Sequence, residues 1–242
     1  MVLPATAHPD YDRYNREERY ICAHLFRLLH EPVGDYLALR RFIGDTSKVV
    51  GFRIFVEVAL IRDAYHERRS NPSEFMDALV RIVADQENIR AYRTYSQLPV
   101  DLCTPHLTHP RQIREKGAKC LTKDEMRVYG SVQGMFNAKP DLVVCVGHKL
   151  FVYEAKLTLG FDNEQFMRTK HIAEIWAKLL HHDLGFECMP AVQVRTLGLA
   201  KCKPDISWEF VKQTAEKVYP ADDRSRCALA QAVALGEANY GV

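Results

Sequence analysis

Two short segments carry residues that could do chemistry together: Pro140-Asp141 and, thirteen positions on, Glu154-Ala155-Lys156. The chain between them, Leu142 to Tyr153, is rich in Val, Phe and Tyr and is interrupted at Gly147-His148, which reads as two strands joined by a tight turn. Side chains alternate along a strand, so Glu154 and Lys156 point to one face while Ala155 points to the other. Folding the second strand back brings Asp141 towards Glu154. Two carboxylates and an ammonium would then share one sheet edge inside an apolar hairpin. Burying such charges is costly unless they pair or bind a cation, and carboxylate oxygens suit a hard, hydrated ion such as Mg²⁺ or Mn²⁺.

The elements that must position this cluster follow from periodicity. From Tyr14 to about Arg93 apolar residues return every three or four positions, so residues 14–95 are predicted to be helical. Glu18, Ile21, Cys22, Leu25, Leu28 and Leu29 form one stripe of a first helix, stopped by Pro32 and Gly34. A second run covers about Val50 to Arg68, and a third, Glu74 to Ile89, opens at Asn71-Pro72-Ser73. Gln97 to Pro110 is Pro-rich and reads as a connecting loop. After the hairpin come a helix from about Asn163 to His181, a β-rich run from Met189 to Leu199 and a helix from Trp208 to Val218. The expected fold is α/β: one domain over residues 1–242, with a mixed sheet flanked by helices and a largely α-helical N-terminal half.

Composition sets the outer bounds. The 242 residues are 47% hydrophobic and 26% charged, an ordinary globular balance. A formal charge of +2 rules out bulk basicity as a basis for nucleic-acid or membrane-surface binding, so any such surface must be local. The apolar stretches Phe52 to Ile61 and Leu142 to Val152 are too short or too broken to span a hydrocarbon layer of roughly 30 Å, and Met1 to Arg13 has no apolar core of a secretory signal. No membrane partner is expected. Seven scattered cysteines without a CxxC pair point to free thiols in a reducing, cytoplasmic setting. A Gly-rich phosphate loop and a serine nucleophile elbow are both missing, which removes those routes to nucleotide hydrolysis and acyl transfer.

Pro140-Asp141, Glu154-Ala155-Lys156 and the strand-turn-strand between them resemble the PD-(D/E)XK nuclease superfamily, whose fold is restriction-endonuclease-like. The resemblance implies a nuclease core over residues 111–220 with the catalytic hairpin at 140–157. It implies that Asp141 and Glu154 hold Mg²⁺ (or Mn²⁺) and that Lys156 orients or activates the water attacking a phosphodiester. The reaction would be hydrolysis of DNA, an endonuclease being favoured, and a homodimer is compatible because double-strand cutters commonly place two sites on two strands. Many members add a Glu from a helix before the first strand. Glu18 is similar, as catalytic residue and metal ligand, with Glu115 and Glu125 as alternatives. On the helix after the lysine, Gln165 resembles an accessory catalytic residue and Arg168 a nucleic-acid contact, although Thr169 stands where a narrower subgroup carries Tyr. The spacing of the cysteines opposes the iron–sulfur branch.

The basic stretch Arg111, Arg114, Lys116 and Lys119 precedes the hairpin and could contact phosphates. Cys103, His106, His109 and Cys120 carry zinc-ligand chemistry, but their spacing matches no standard finger. The competing functional reading is a catalytically inactive nucleic-acid-binding or assembly protein on the same fold.

Overall fold

The Val- and aromatic-rich segments around Gly147 form the expected hairpin, with β2 at Leu142–Val146 and β3 at Lys149–Ala155. Gly147 takes a left-handed conformation (φ 56°), which the two-residue connection requires. Both strands are buried on both sides, which explains why their sequence is almost continuously apolar rather than alternating. The protein is described by a computed structural model covering residues 18–45, 51–68, 70–103, 109–157 and 162–240.

Three further strands complete a mixed sheet of order β1-β2-β3-β4-β5. Strand β1 (Phe52–Val56) pairs antiparallel with β2, from Phe52 opposite Val146 to Val56 opposite Leu142. Strand β4 (Ala191–Gly198) runs parallel to β3, and the two-residue β5 (Ile206–Ser207) runs parallel to β4. The helices are α1 (Glu18–His30), α2 (Leu37–Ile43), α3 (Leu60–Glu67), α4 (Ser73–Gln86), α5 (Pro110–Gly117), α6 (Lys123–Asn137), α7 (Asn163–Leu180), α8 (Trp208–Val218) and α9 (Arg224–Tyr240).

Alternation along the strands sorts these helices onto two faces. Val143, Cys145, Leu150 and Val152 pack with α3, α4, α6 and α7, through Tyr65, Leu79, Phe136 and Trp176 among others. Leu142, Val144, Phe151, Tyr153 and Ala155 pack with α1, α2, α8 and α9, through Leu25, Phe42, Trp208 and Leu229. The α/β class and the mixed sheet flanked by helices therefore stand.

One expectation is corrected. The run from Val50 to Arg68 is not a single helix: Phe52–Val56 is an edge strand, and the helix starts only at Leu60. Five residues, Phe-Arg-Ile-Phe-Val, are too few for periodicity to separate a strand from a helix, and pairing with β2 decides for the strand. The N-terminal half thus contributes to the sheet and is not purely helical. Three helices lie outside the runs that periodicity predicts: α6, α5 and α9. The first carried a legible start: the Thr122 hydroxyl accepts from Glu125 N–H while the Glu125 carboxylate accepts from Thr122 N–H.

Glu125 also ties α6 to the segment that follows α4. Its buried carboxylate accepts from the Arg93 guanidinium at 2.8 Å and from the Arg93 backbone N–H at 3.1 Å. The Arg93 hydrogen bond holds its carboxyl down at about 2. A depressed carboxyl stabilises the fold fully above its unfolded value, and this contribution is lost as pH falls through about 2. Glu125→Gln should therefore cost about 1.5–3 kcal/mol in urea unfolding at pH 7, with the gap closing below about pH 4. An equal gap at pH 7 and pH 2.5 would contradict this assignment.

Candidate active site

Register aligns the chemistry-bearing residues. Val56 lies opposite Leu142 and Leu142 opposite Tyr153, so the residues flanking these pairs, Glu57, Asp141 and Glu154, form a row across β1, β2 and β3. The row is tied by Glu57 N–H donating to the Asp141 carbonyl at 3.4 Å. On the fourth strand, Thr196 stands opposite Glu154. By alternation with Val143, Leu150 and Val152, Asp141, Glu154 and Lys156 all belong to the face that α7 covers. The hairpin thus brings Asp141, Glu154 and Lys156 together as the sequence predicts.

Each member is held by a definite contact. The Asp141 carboxylate accepts from Ala155 N–H at 2.8 Å, so the first carboxylate is pinned to the strand bearing the second. Glu154 is only 8% exposed. One of its oxygens accepts from Gln165 Nε2 at 2.7 Å and the other from the Thr169 hydroxyl, two residues one turn apart on α7. Asp162 starts that helix by accepting from Glu164 N–H. Lys156, half-buried just past the strand, donates its N–H to the Leu197 carbonyl at 2.8 Å, while its own carbonyl accepts from Trp208 Nε1 at 2.9 Å. Its backbone is clamped between β4 and α8.

The charges perturb one another. Burial pushes the Asp141 carboxyl up to about 7, against the Ala155 N–H; Glu154 and Glu57 push it the same way and Lys156 opposes them. Burial likewise raises Glu154, while Thr169, Lys156 and Gln165 favour its charged form. Glu57 is thus a third carboxylate of the site, hidden in the sequence because periodicity predicts one helix through it. Its backbone is left-handed (φ 53°) directly after β1, an uncommon conformation for a residue with a side chain.

A divalent cation fits this donor set. Desolvated carboxylates with raised protonation ranges are what a hard cation relieves. Among the described residues no group of three or more His, Cys, Asp or Glu is placed to hold a metal ion by itself, Glu57 with Asp141 and Glu154 included. Mg²⁺ needs none, because it keeps several waters and is held by one or two carboxylates plus substrate phosphate.

The remaining predicted residues fall elsewhere or outside the description. Glu18 opens α1, but its side chain lies outside the described residues. The alternatives are engaged in ion pairs of their own, Glu115 with Arg111 at 2.8 Å and Glu125 with Arg93. Arg168 is exposed on a different flank of α7 from Gln165 and Thr169, beside His171 and facing α4 and α6. Arg114 donates to Gln133 at 2.6 Å on α6, and Lys116 and Lys119 are exposed. In the zinc-like set, Cys103 points its thiol at the Tyr95 carbonyl, His109 caps α5, Cys120 is exposed and His106 lies outside the described residues.

The raised Asp141 carboxyl has a sign that can be tested. A carboxyl raised on folding favours the folded state while protonated, and that preference is lost as pH rises through about 7. Asp141→Asn should therefore raise the melting temperature of metal-free protein at pH 8 by roughly 2–4 °C, with the gain shrinking towards pH 5. A variant less stable than wild type at pH 8 would contradict a desolvated carboxylate. In comparisons with protein-family models, curated proteins and solved structures nothing matches this chain, so the geometry of the site carries the functional argument.

Proposed function

We propose that the protein is a Mg²⁺- or Mn²⁺-dependent nuclease of the PD-(D/E)XK type that hydrolyses phosphodiester bonds of DNA. The observation that carries the reading is the row of Asp141 and Glu154, with Lys156 on the same sheet face, inside an apolar hairpin. The mixed sheet flanked by helices, with α7 lying over the row, agrees with the architecture that the resemblance implies.

In this reading Asp141 and Glu154 would hold the cation. When bound, it lowers the pKa of water and neutralises charge developing on phosphate. Gln165 and Thr169 fix the Glu154 oxygens so that the carboxylate keeps one orientation. Lys156, clamped through its backbone, presents an ammonium beside both carboxylates, where it can orient the attacking water and offset phosphate charge. Glu57 adds negative charge to the row and so favours cation binding.

Endonuclease action is favoured, and a homodimer would suit double-strand cutting. The seven free thiols support a reducing, cytoplasmic setting. Among the described residues no helix is long and apolar enough to cross a membrane.

A second reading, a catalytically inactive nucleic-acid-binding or assembly protein on this fold, is favoured by one observation: both Glu154 oxygens are already engaged by α7. Plasmid and linear DNA cleavage decides between them. Wild type with Mg²⁺ or Mn²⁺ should cut, chelation should abolish cutting, and Lys156→Ala should lose roughly 10²-fold or more in rate. Equal cutting by both proteins would remove the nuclease assignment. Inactivity of wild type with every metal and substrate would favour the binding protein.

A further inference from the structure

Helix α7 has a second flank. Where Gln165 and Thr169 meet Glu154, Met167, Arg168 and His171 instead line an open groove of about 460 Å³ between α4, α6 and α7. Its floor is apolar, built from Val83, Met135 and Ile175, and Met167 is 51% exposed at its edge. Glu87 also lines it, with its charge matched by Arg127 at 3.1 Å; Glu174 accepts from Gln86 at 3.4 Å, and Arg168 puts a cation on the rim. Gly134 opens part of the floor: a Cβ placed there would meet nothing within 4 Å.

We infer that this groove receives an unpaired nucleobase of the strand whose phosphate lies at Asp141 and Glu154, which makes single-stranded tracts the substrate class of the site. The inference rests on the nuclease reading above. A base offers a flat, largely apolar face to the thioethers and branched side chains of the floor, and its phosphate offers an anion to Arg168. The two flanks of one helix lie within its diameter of roughly 10–12 Å, a span that a few nucleotides of single strand cross. A duplex must first unpair and unstack a base before one can enter, a cost that a single strand does not bear.

The test is equilibrium binding of a fluorescent single-stranded oligodeoxynucleotide and of the matching blunt duplex, in EDTA so that no cleavage intervenes. Wild type should prefer the single strand. Gly134→Leu, which fills the groove, and Arg168→Ala, which removes its cation, should each weaken single-strand binding roughly five- to tenfold with no loss of melting temperature. Leucine is the better helix former, so Gly134→Leu should fold; were it not to, Arg168→Ala and Met167→Ala carry the test.

Unchanged single-strand affinity in the folded variants, or a duplex preference in wild type, would overturn the inference. So would a concentration-dependent dimer of wild type lost in Gly134→Leu, because the occupant would then be a second copy of the chain. The two readings fail separately. Groove-dependent binding without any cleavage sinks only the nuclease, whereas metal-dependent cleavage indifferent to Gly134→Leu sinks only the groove.

Discussion

Everything at this site depends on keeping two carboxylates in a largely apolar sheet face. Charge transferred from water into such surroundings is expensive unless it is met by hydrogen bonds and opposite charge. Glu154 meets the cost with Gln165 and Thr169, and Asp141 with the Ala155 backbone; the Lys156 ammonium opposes the rise in both. These requirements bind distant parts of the chain to one geometry. Strand β1 supplies the edge beside Asp141, α7 covers the row, and β4 with Trp208 of α8 fixes the backbone of Lys156.

The compensation is incomplete. Asp141 stays raised to about 7 even with its hydrogen bond, and Glu57 adds a third negative group from a left-handed backbone position. Burial against the charged form and a strained residue at the same row are the combination found where a structure is organised for a ligand rather than for its own stability. Elsewhere the protein treats a buried carboxylate differently. Glu125 is matched by a guanidinium and its helix cap, and its carboxyl falls to about 2. The contrast separates a carboxylate matched by a guanidinium from one that burial leaves raised.

Much of this was legible in the chain. The hairpin could be read from its β-branched and aromatic run around Gly147-His148, and α8 begins and ends at the expected Trp208 and Val218. Glu57 was not legible, because a five-residue edge strand followed by a helix has the same short-range pattern as one longer helix, and only cross-strand pairing separates them. Thr169 departs from a tyrosine pattern, yet its hydroxyl, one turn from Gln165, donates to the second oxygen of Glu154. The i,i+4 spacing was visible in the sequence; its orientation towards Glu154 follows from how α7 packs. Trp208 gave no signal, since its ring nitrogen finds Lys156 only through the β4–β5 crossover.

The most direct measurement is a crystal structure with Mn²⁺, located by its anomalous scattering. An ion should be bound by carboxylate oxygens of both Asp141 and Glu154, with waters completing its shell at roughly 2.0–2.3 Å. Glu154 would turn an oxygen away from Gln165 or Thr169 to reach it. Crystals grown in millimolar Mn²⁺ with no ion at this row, and with Glu154 still bonded to both α7 residues, would contradict a cation site at these carboxylates.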